Sequence, residues 1–259
     1  MDPATGLGII FGFGMLLTGY VLEEGSIPAL LAISPVFIVF GGTFGAITCQ
    51  HTFKEILSLP KYLMEAMQTP KGNESAIKQL IETMVTLAEK ARREGVLSLE
   101  SDIQGELTDK KYDPSLRKGL RLMVDGSEPE LIKHMLENEI LIFEAKKKRE
   151  ASIFEAAGGY SPTMGIIGTV MGLIKVLGSL SDPSQLAPAV AMAFVATLYG
   201  VSFANLFWLP VGGKLKGKLA QEVLLKELII EGIMSIQAGE NPRILREKLE
   251  IFITEKKQQ

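Results

Sequence analysis

The stretch EAAGGYSPTMGIIGTVMGLIK, residues 155–175, holds 19 consecutive uncharged residues between Glu155 and Lys175. A bilayer core about 30 Å thick needs about 20 apolar helical residues, each adding 1.5 Å, so this run is long enough to cross one. Within it Gly165, Gly168, Thr169 and Gly172 recur at spacings of three and four, which puts them on one face of a helix. A core helix of a soluble protein offers the same features. The choice between the two rests on how many such runs the chain contains.

There are four. Gly6 to Leu22 carries no charge, nor does the run from Ile27 up to Lys54, and the 31 residues between Asp182 and Lys214 are also uncharged. Four runs paired around short connectors read as membrane spans: 1–22, 27–49, 156–180 and 186–213. The expected fold is all-α, a polytopic membrane protein with four transmembrane helices and a helical cytoplasmic domain. A cleavable signal peptide is not expected, because no lysine or arginine precedes the first run and a second follows at once. The single cysteine, Cys49, allows no internal disulfide, and His51 and His134 match no metal-ligand spacing, so no metal site is expected. The net charge of −3 argues against a nucleic-acid surface.

Of 27 basic residues, 17 fall between Gln50 and Glu155 and nine between Lys214 and Gln259. Basic residues beside span ends mark the cytoplasmic side, so the segment 50–155 and the tail 214–259 are both expected there, with both termini cytoplasmic. Ser75 to Glu94 has apolar residues at helical spacing. Asp113-Pro114 and Ser127-Glu128-Pro129-Glu130 read as helix starts, the latter with Ser127 as N-cap. No breaker follows before Gly158, so this last helix is expected to run into the third span. Leu215 to Ala238 and Pro242 to Glu255 read as two tail helices.

The fourth run repeats the small stripe with Ala193, Ala196, Thr197, Gly200 and Ala204. Small stripes let helices approach closely, and each stripe carries one threonine whose hydroxyl can ligate an ion or bond water. The stripes are read either as generic helix packing or as pore-facing surfaces, with Gly165, Gly168, Gly172, Ala193, Ala196 and Gly200 facing the pore. Pro162 and Pro210 stand at the cytoplasmic ends of the third and fourth spans, where freed carbonyls bend helices. Past Asp2, no Asp, Glu, His or Arg lies inside any span, and Lys175, read as two turns from the outer end, can snorkel. An ion-coupled machine needs an intramembrane ionisable group, so a partner would have to supply the carboxylate. The first two spans are bulkier and are expected to face lipid. Their Gly8-x-x-x-Gly12 and Gly41-x-x-x-Gly45 spacings are weak dimerisation signals. With no nucleophile–base pair and no phosphate-binding loop, no enzymatic activity is expected.

Two spans, a large insertion, two more spans and a tail make a layout that resembles the MotA family of flagellar stator subunits and its sodium-type relatives PomA and MotP. Three stretches carry the resemblance. Arg92-Arg93-Glu94-Gly95-Val96-Leu97-Ser98-Leu99-Glu100 is similar to the family's charged segment, Pro162 to Leu173 to its third span, and Ala196 to Pro210 to its fourth. The resemblance implies that Arg92, Arg93 and Glu100 engage the rotor protein FliG. It implies that Thr169, Thr197, Pro162 and Pro210 line or control the ion pathway. It implies a homopentamer around a dimer of a MotB-type single-span subunit that supplies the ion-binding aspartate, in a bacterial inner membrane and surrounded by lipid. No cofactor is implied. The transported ion would be Na⁺ in preference to H⁺, because sodium-type members tend to have threonine where Thr169 stands. The nearest alternative is an ExbB/TolQ-type proton-channel subunit energising an outer-membrane process. Such proteins usually have three spans, with the large cytoplasmic part after the first.

Overall fold

The structure is a computed structural model that describes residues 3–69, 72–109, 112–178, 180–181 and 183–255. Residues 1–2 of the expected first span, 70–71 and 110–111 of the insertion, 179 and 182 near the outer connector, and 256–259 of the tail lie outside the described residues. The described residues are helical, with no strand among them, and four helices are long and apolar enough to cross a membrane. The chain divides into two compact units, residues 1–68 with 147–216 and residues 69–146 with 217–259.

The first unit holds the spans. α1 (Ala4–Leu22) is the first of them. The second run is broken, against the expectation of a single helix over 27–49. α2 (Ile27–Leu30) stops at Leu31, and a new helix, α3 (Ile33–Val36), continues through a π-turn at Phe37–Gly41 into α4 (Gly42–Gln50). The reason is Pro35, which has no N–H and fits only in the first turn of a helix, where that N–H would be unpaired anyway. α5 (Phe53–Leu57) opens with a capping box between Thr52 and Glu55, and α6 (Leu59–Ala66) follows. α10 (Pro129–Gly178) is continuous for 50 residues through Pro162, matching the expected run into the third span. Its start differs slightly: Glu128, not Ser127, holds the cap position, and its carbonyl accepts the first intrahelical bond from Ile132. Lys175 lies in the last turn of α10, one turn nearer the end than expected. α11 (Pro183–Phe203) opens the fourth span, which continues through a second π-turn at Ala204–Trp208 into α12 (Leu209–Gln237). Pro210 cannot return an N–H to Leu206, and the wider turn just before it accommodates that loss.

Beside the spans, Lys147 of α10 is paired with Glu65 of α6 and with Glu150, at 2.9 Å from the latter. Arg149 is paired with Glu55. Hydrogen bonds from Arg149 and Thr52 hold the Glu55 carboxyl down to about 2.

The second unit is built like a soluble helical domain. α7 (Glu74–Glu94) is capped by Asn73, whose side chain accepts from the Ala76 N–H at 2.8 Å. A short α8 (Glu100–Gln104) precedes α9 (Pro114–Val124), which is capped by Asp113, and α13 (Pro242–Glu255) closes the chain. Ile77, Ile81, Met84, Leu116, Leu120, Leu136, Leu228, Ile233 and Leu245 share one buried core. The insertion and the tail therefore lie on the same side of any bilayer the spans cross.

Candidate functional site

The two small-residue stripes meet each other inside one chain. Gly165, Gly168, Ala193, Ala196 and Gly200 are buried, with Gly172 half-buried beside them. A Cβ placed on Gly165 would lie 2.9 Å from the Ala196 carbonyl oxygen. On Gly168 it would lie 2.6 Å from the Ala196 Cβ, and on Gly200 it would lie 2.5 Å from the Ser161 carbonyl oxygen. Real Cβ atoms do not come that close, so glycine is required at each. Of the two readings left open for these six residues, generic helix packing or a pore-facing surface, a single chain shows their packing against each other. Their surface is spent on the α10–α11 seam, because only side chains this small let two backbones touch.

Hydroxyls close the seam. Thr169 Oγ1 lies 3.0 Å from the Ala193 carbonyl and 3.2 Å from that of Gly165, and it is in hydrogen-bond contact with Thr197 Oγ1. Thr197 Oγ1 is 3.5 Å from the Gly165 carbonyl. Each hydroxyl has one proton, so the shorter contacts assign Thr169 as donor to Ala193 and Thr197 as donor to Thr169. Four oxygens thus converge at one level of the bundle: two hydroxyls and the carbonyls of Gly165 and Ala193. Both threonines are half-buried, so this cluster sits at the edge of the seam. Such a set offers lone pairs to a cation but no group that holds a proton near neutral pH. Alongside it α10 exposes Ile166, Ile167, Val170, Met171 and Ile174, an apolar face that requires lipid or another protein to cover it.

Pro162 is half-buried at the lower end of the seam, and Pro210 is exposed. Sequence reasoning passed over two neighbours. Ser161 is fully buried and donates to the Gly200 carbonyl at 3.0 Å. Tyr199 donates to the Leu30 carbonyl. A Ser-Pro pair at a span entry is a visible signal for the first. The second has none, since its acceptor is backbone far away in sequence.

Arg92, Arg93 and Glu100 are exposed around one tight turn. α7 ends at Gly95, whose φ of 82° is a conformation that side chains disfavour. The following 3₁₀ turn, Val96–Leu99, plugs Leu99 into the core while Leu97 stays 73% exposed. Lys90 binds Asp102 at 2.6 Å and the Ser101 hydroxyl at 3.0 Å, which fastens α8 back onto α7. Glu100 accepts from Gln104 Nε2 at 3.1 Å, whereas Arg92 makes no ion pair among the described residues.

Comparison with known proteins adds the lineage. Profiles of the MotA/TolQ/ExbB proton channel family and of the motility protein A N-terminal family match residues 108–228 and 6–95 respectively. Motility protein A of Borreliella burgdorferi is 36% identical over 256 residues, covering 99% of this chain and 95% of that one. The C. jejuni MotAB structure matches with a TM-score of 0.87 at 30% identity, covering 97% of this chain and 96% of its counterpart. The flagellar MotAB stator complex of Bacillus subtilis matches with a TM-score of 0.86 at 35% identity, covering 95% and 94%. With four apolar helices, a hydroxyl-closed seam and relatives that match end to end, the chain belongs to the MotA/TolQ/ExbB proton channel family, within its motility protein A branch.

Proposed function

We propose that this chain is the ring-forming subunit of a flagellar stator in a bacterial inner membrane. A homopentamer surrounds a dimer of a MotB-type partner, and ion flow turns the ring to deliver torque to FliG. The observation that carries this reading is the Thr169–Thr197 oxygen cluster in a bundle whose apolar runs contain no carboxylate. The cluster can share a cation but cannot take it up and release it alone, and the partner's aspartate completes the site. The uncovered apolar face of α10 beside the cluster gives that helix a place to lie.

On this reading an ion reaching the aspartate neutralises it and changes which seam edge it prefers. A five-fold ring cannot suit both members of a two-fold shaft at once, so each ion moves the ring a step. The electrical part of the drive is about 2.3 kcal/mol per charge per 100 mV. Pro162 and Pro210 allow α10 and α12 to bend as contacts change. Arg92, Arg93 and Glu100 then act on FliG as exposed teeth. Exposed ion pairs are worth only about 0–1 kcal/mol each, which suits contacts that form and break at every step. The insertion and tail are cytoplasmic, as are both termini, and α1 meets lipid. Sodium is the favoured ion, because hydroxyl and carbonyl oxygens suit a hard cation.

The test is to express the chain with its MotB-type partner in a stator-deficient swimming bacterium and measure speed against external sodium. Speed that rises and saturates with sodium supports a sodium-driven stator. Speed indifferent to sodium but abolished by a protonophore keeps the stator and assigns H⁺. A chain that conducts neither ion in vesicles holding both subunits sinks the reading.

A further inference from the structure

The second span is interrupted where its surroundings are apolar. Leu31 adopts φ −84° and ψ 76°, an inverse γ-turn closed by the Ala32 N–H on the Leu30 carbonyl at 3.0 Å. Ala32 is extended, with φ −109° and ψ 124°, and helix resumes at Ile33. Away from water an interrupted backbone must find partners inside the protein. The buried Leu30 carbonyl finds a second one in the hydroxyl of Tyr199 on α11.

Tyr199 is two residues past Thr197 and one before Gly200, yet it serves a different face of the same helix. Tyr199 and Phe203, one turn apart, receive Phe40 of the second span at ring-centroid distances of 6.4 and 4.5 Å. Phe203 also meets Phe13 of α1 at 4.9 Å. α11 is therefore gripped on two sides, by the glycine seam of α10 and by the first two spans. In the second grip the Tyr199 hydroxyl supplies a directional bond to backbone. The ring stacking tolerates rotation, whereas that hydrogen bond does not.

Building on the stator reading, we propose that Tyr199 is a positioning residue of the ion pathway. Its hydroxyl pins the interrupted end of the second span to α11 and so fixes the rotation of α11 that keeps Thr197 against Thr169. Tyr199→Phe keeps the ring and removes only the hydroxyl, in the full chain co-expressed with its partner. Swimming speed is read against sodium chloride at fixed pH and against external pH at fixed sodium, with membrane levels measured in parallel. The half-saturating concentration of the coupling ion rises about three- to tenfold, the scale of one lost hydrogen bond, while maximal speed and protein level stay near wild type. An unchanged half-saturation, or a loss of speed that only follows the amount of protein in the membrane, overturns the positioning role. A wild-type chain that yields no ion-dependent speed or flux overturns the stator reading on which it rests.

Discussion

The seam between α10 and α11 and the core around α7, α9, α12 and α13 are both helix packing, yet they are made of opposite materials. The seam is glycine, alanine and hydroxyl, with backbones in contact. The core of the second unit is leucine, isoleucine and methionine, with a charged pair inside it. In lipid a large apolar side chain gains nothing by leaving its surroundings, so helices associate through close backbone approach and a few hydrogen bonds. In water the same side chain is driven inward by the area it removes from solvent. α10 and α12 each change material part-way along their length, and that change marks where the solvent changes.

The strongest way to break this comparison is to give the seam a side chain. Gly200→Leu is expected to remove the protein from the membrane or to reduce motility more than tenfold, because even its Cβ falls 2.5 Å from the Ser161 carbonyl. Gly159→Ala, a residue with nothing within 4 Å of its Cβ position, is expected to leave both unchanged. Membrane immunoblots and swimming speed check the pair. Equal damage from both would mean the seam is not what holds the helices together.

The next effect belongs to the charged pair. Lys226 is 7% exposed and donates to Asp113 Oδ1 and to the Ser115 hydroxyl, both at 2.8 Å, with the Phe143 ring 5.2 Å from its ammonium. Ser115 in turn donates to Glu139, which Lys118 also binds at 2.7 Å. Lys226→Ala removes the ammonium paired with Asp113 and is expected to cost about 3 kcal/mol in unfolding of the full chain in detergent. Burial acts to raise the Asp113 carboxyl, but hydrogen bonds from Lys226 and Ser115 outweigh it and hold the group below its usual range. Its stability contribution is thus present above the ordinary carboxylate pKa of about 4 and is lost as pH falls through the depressed value. Lys226→Ala should therefore begin acid unfolding at a higher pH than wild type, read by circular dichroism.

Smaller changes are expected at the surface. Reversing charge at Arg92 or Glu100 should reduce swimming speed about two- to fivefold while leaving thermal unfolding untouched, since exposed ion pairs contribute little to folding. A shifted Tm would assign these residues to structure and not to the rotor contact. Smallest of all is Glu82→Gln. Arg246 binds this exposed carboxylate at two points and lowers its pKa, but the pair stands in solvent, and the Tm should barely move.

The spans were readable because charge gaps longer than a bilayer crossing leave few alternatives. The continuous α10 was readable because no breaker separates Glu130 from Ala157. Pro35 was in plain view, but the apolar run around it hid the break at Leu31, since hydropathy does not record backbone turns. The π-turns at Phe37–Gly41 and Ala204–Trp208 have no simple sequence signal. Periodicity found the stripe residues but could not say what they face, and they face each other. The threonines were found as hydroxyls in an apolar run. Their mutual hydrogen bond depends on the register between two helices, which only packing sets.

The glycine seam also makes a prediction about inherited variation. At Gly165, Gly168, Gly172 and Gly200 every alternative amino acid adds an atom for which the chain has no space, so drift has no neutral step to take. Gly8, Gly14, Gly41 and Gly45 have open surroundings, and a single chain puts no steric pressure on them. If a deep mutational scan in living cells finds some of these open glycines as intolerant as the seam, the pressure comes from another molecule. The pattern of tolerance would then outline neighbours that a single chain does not contain.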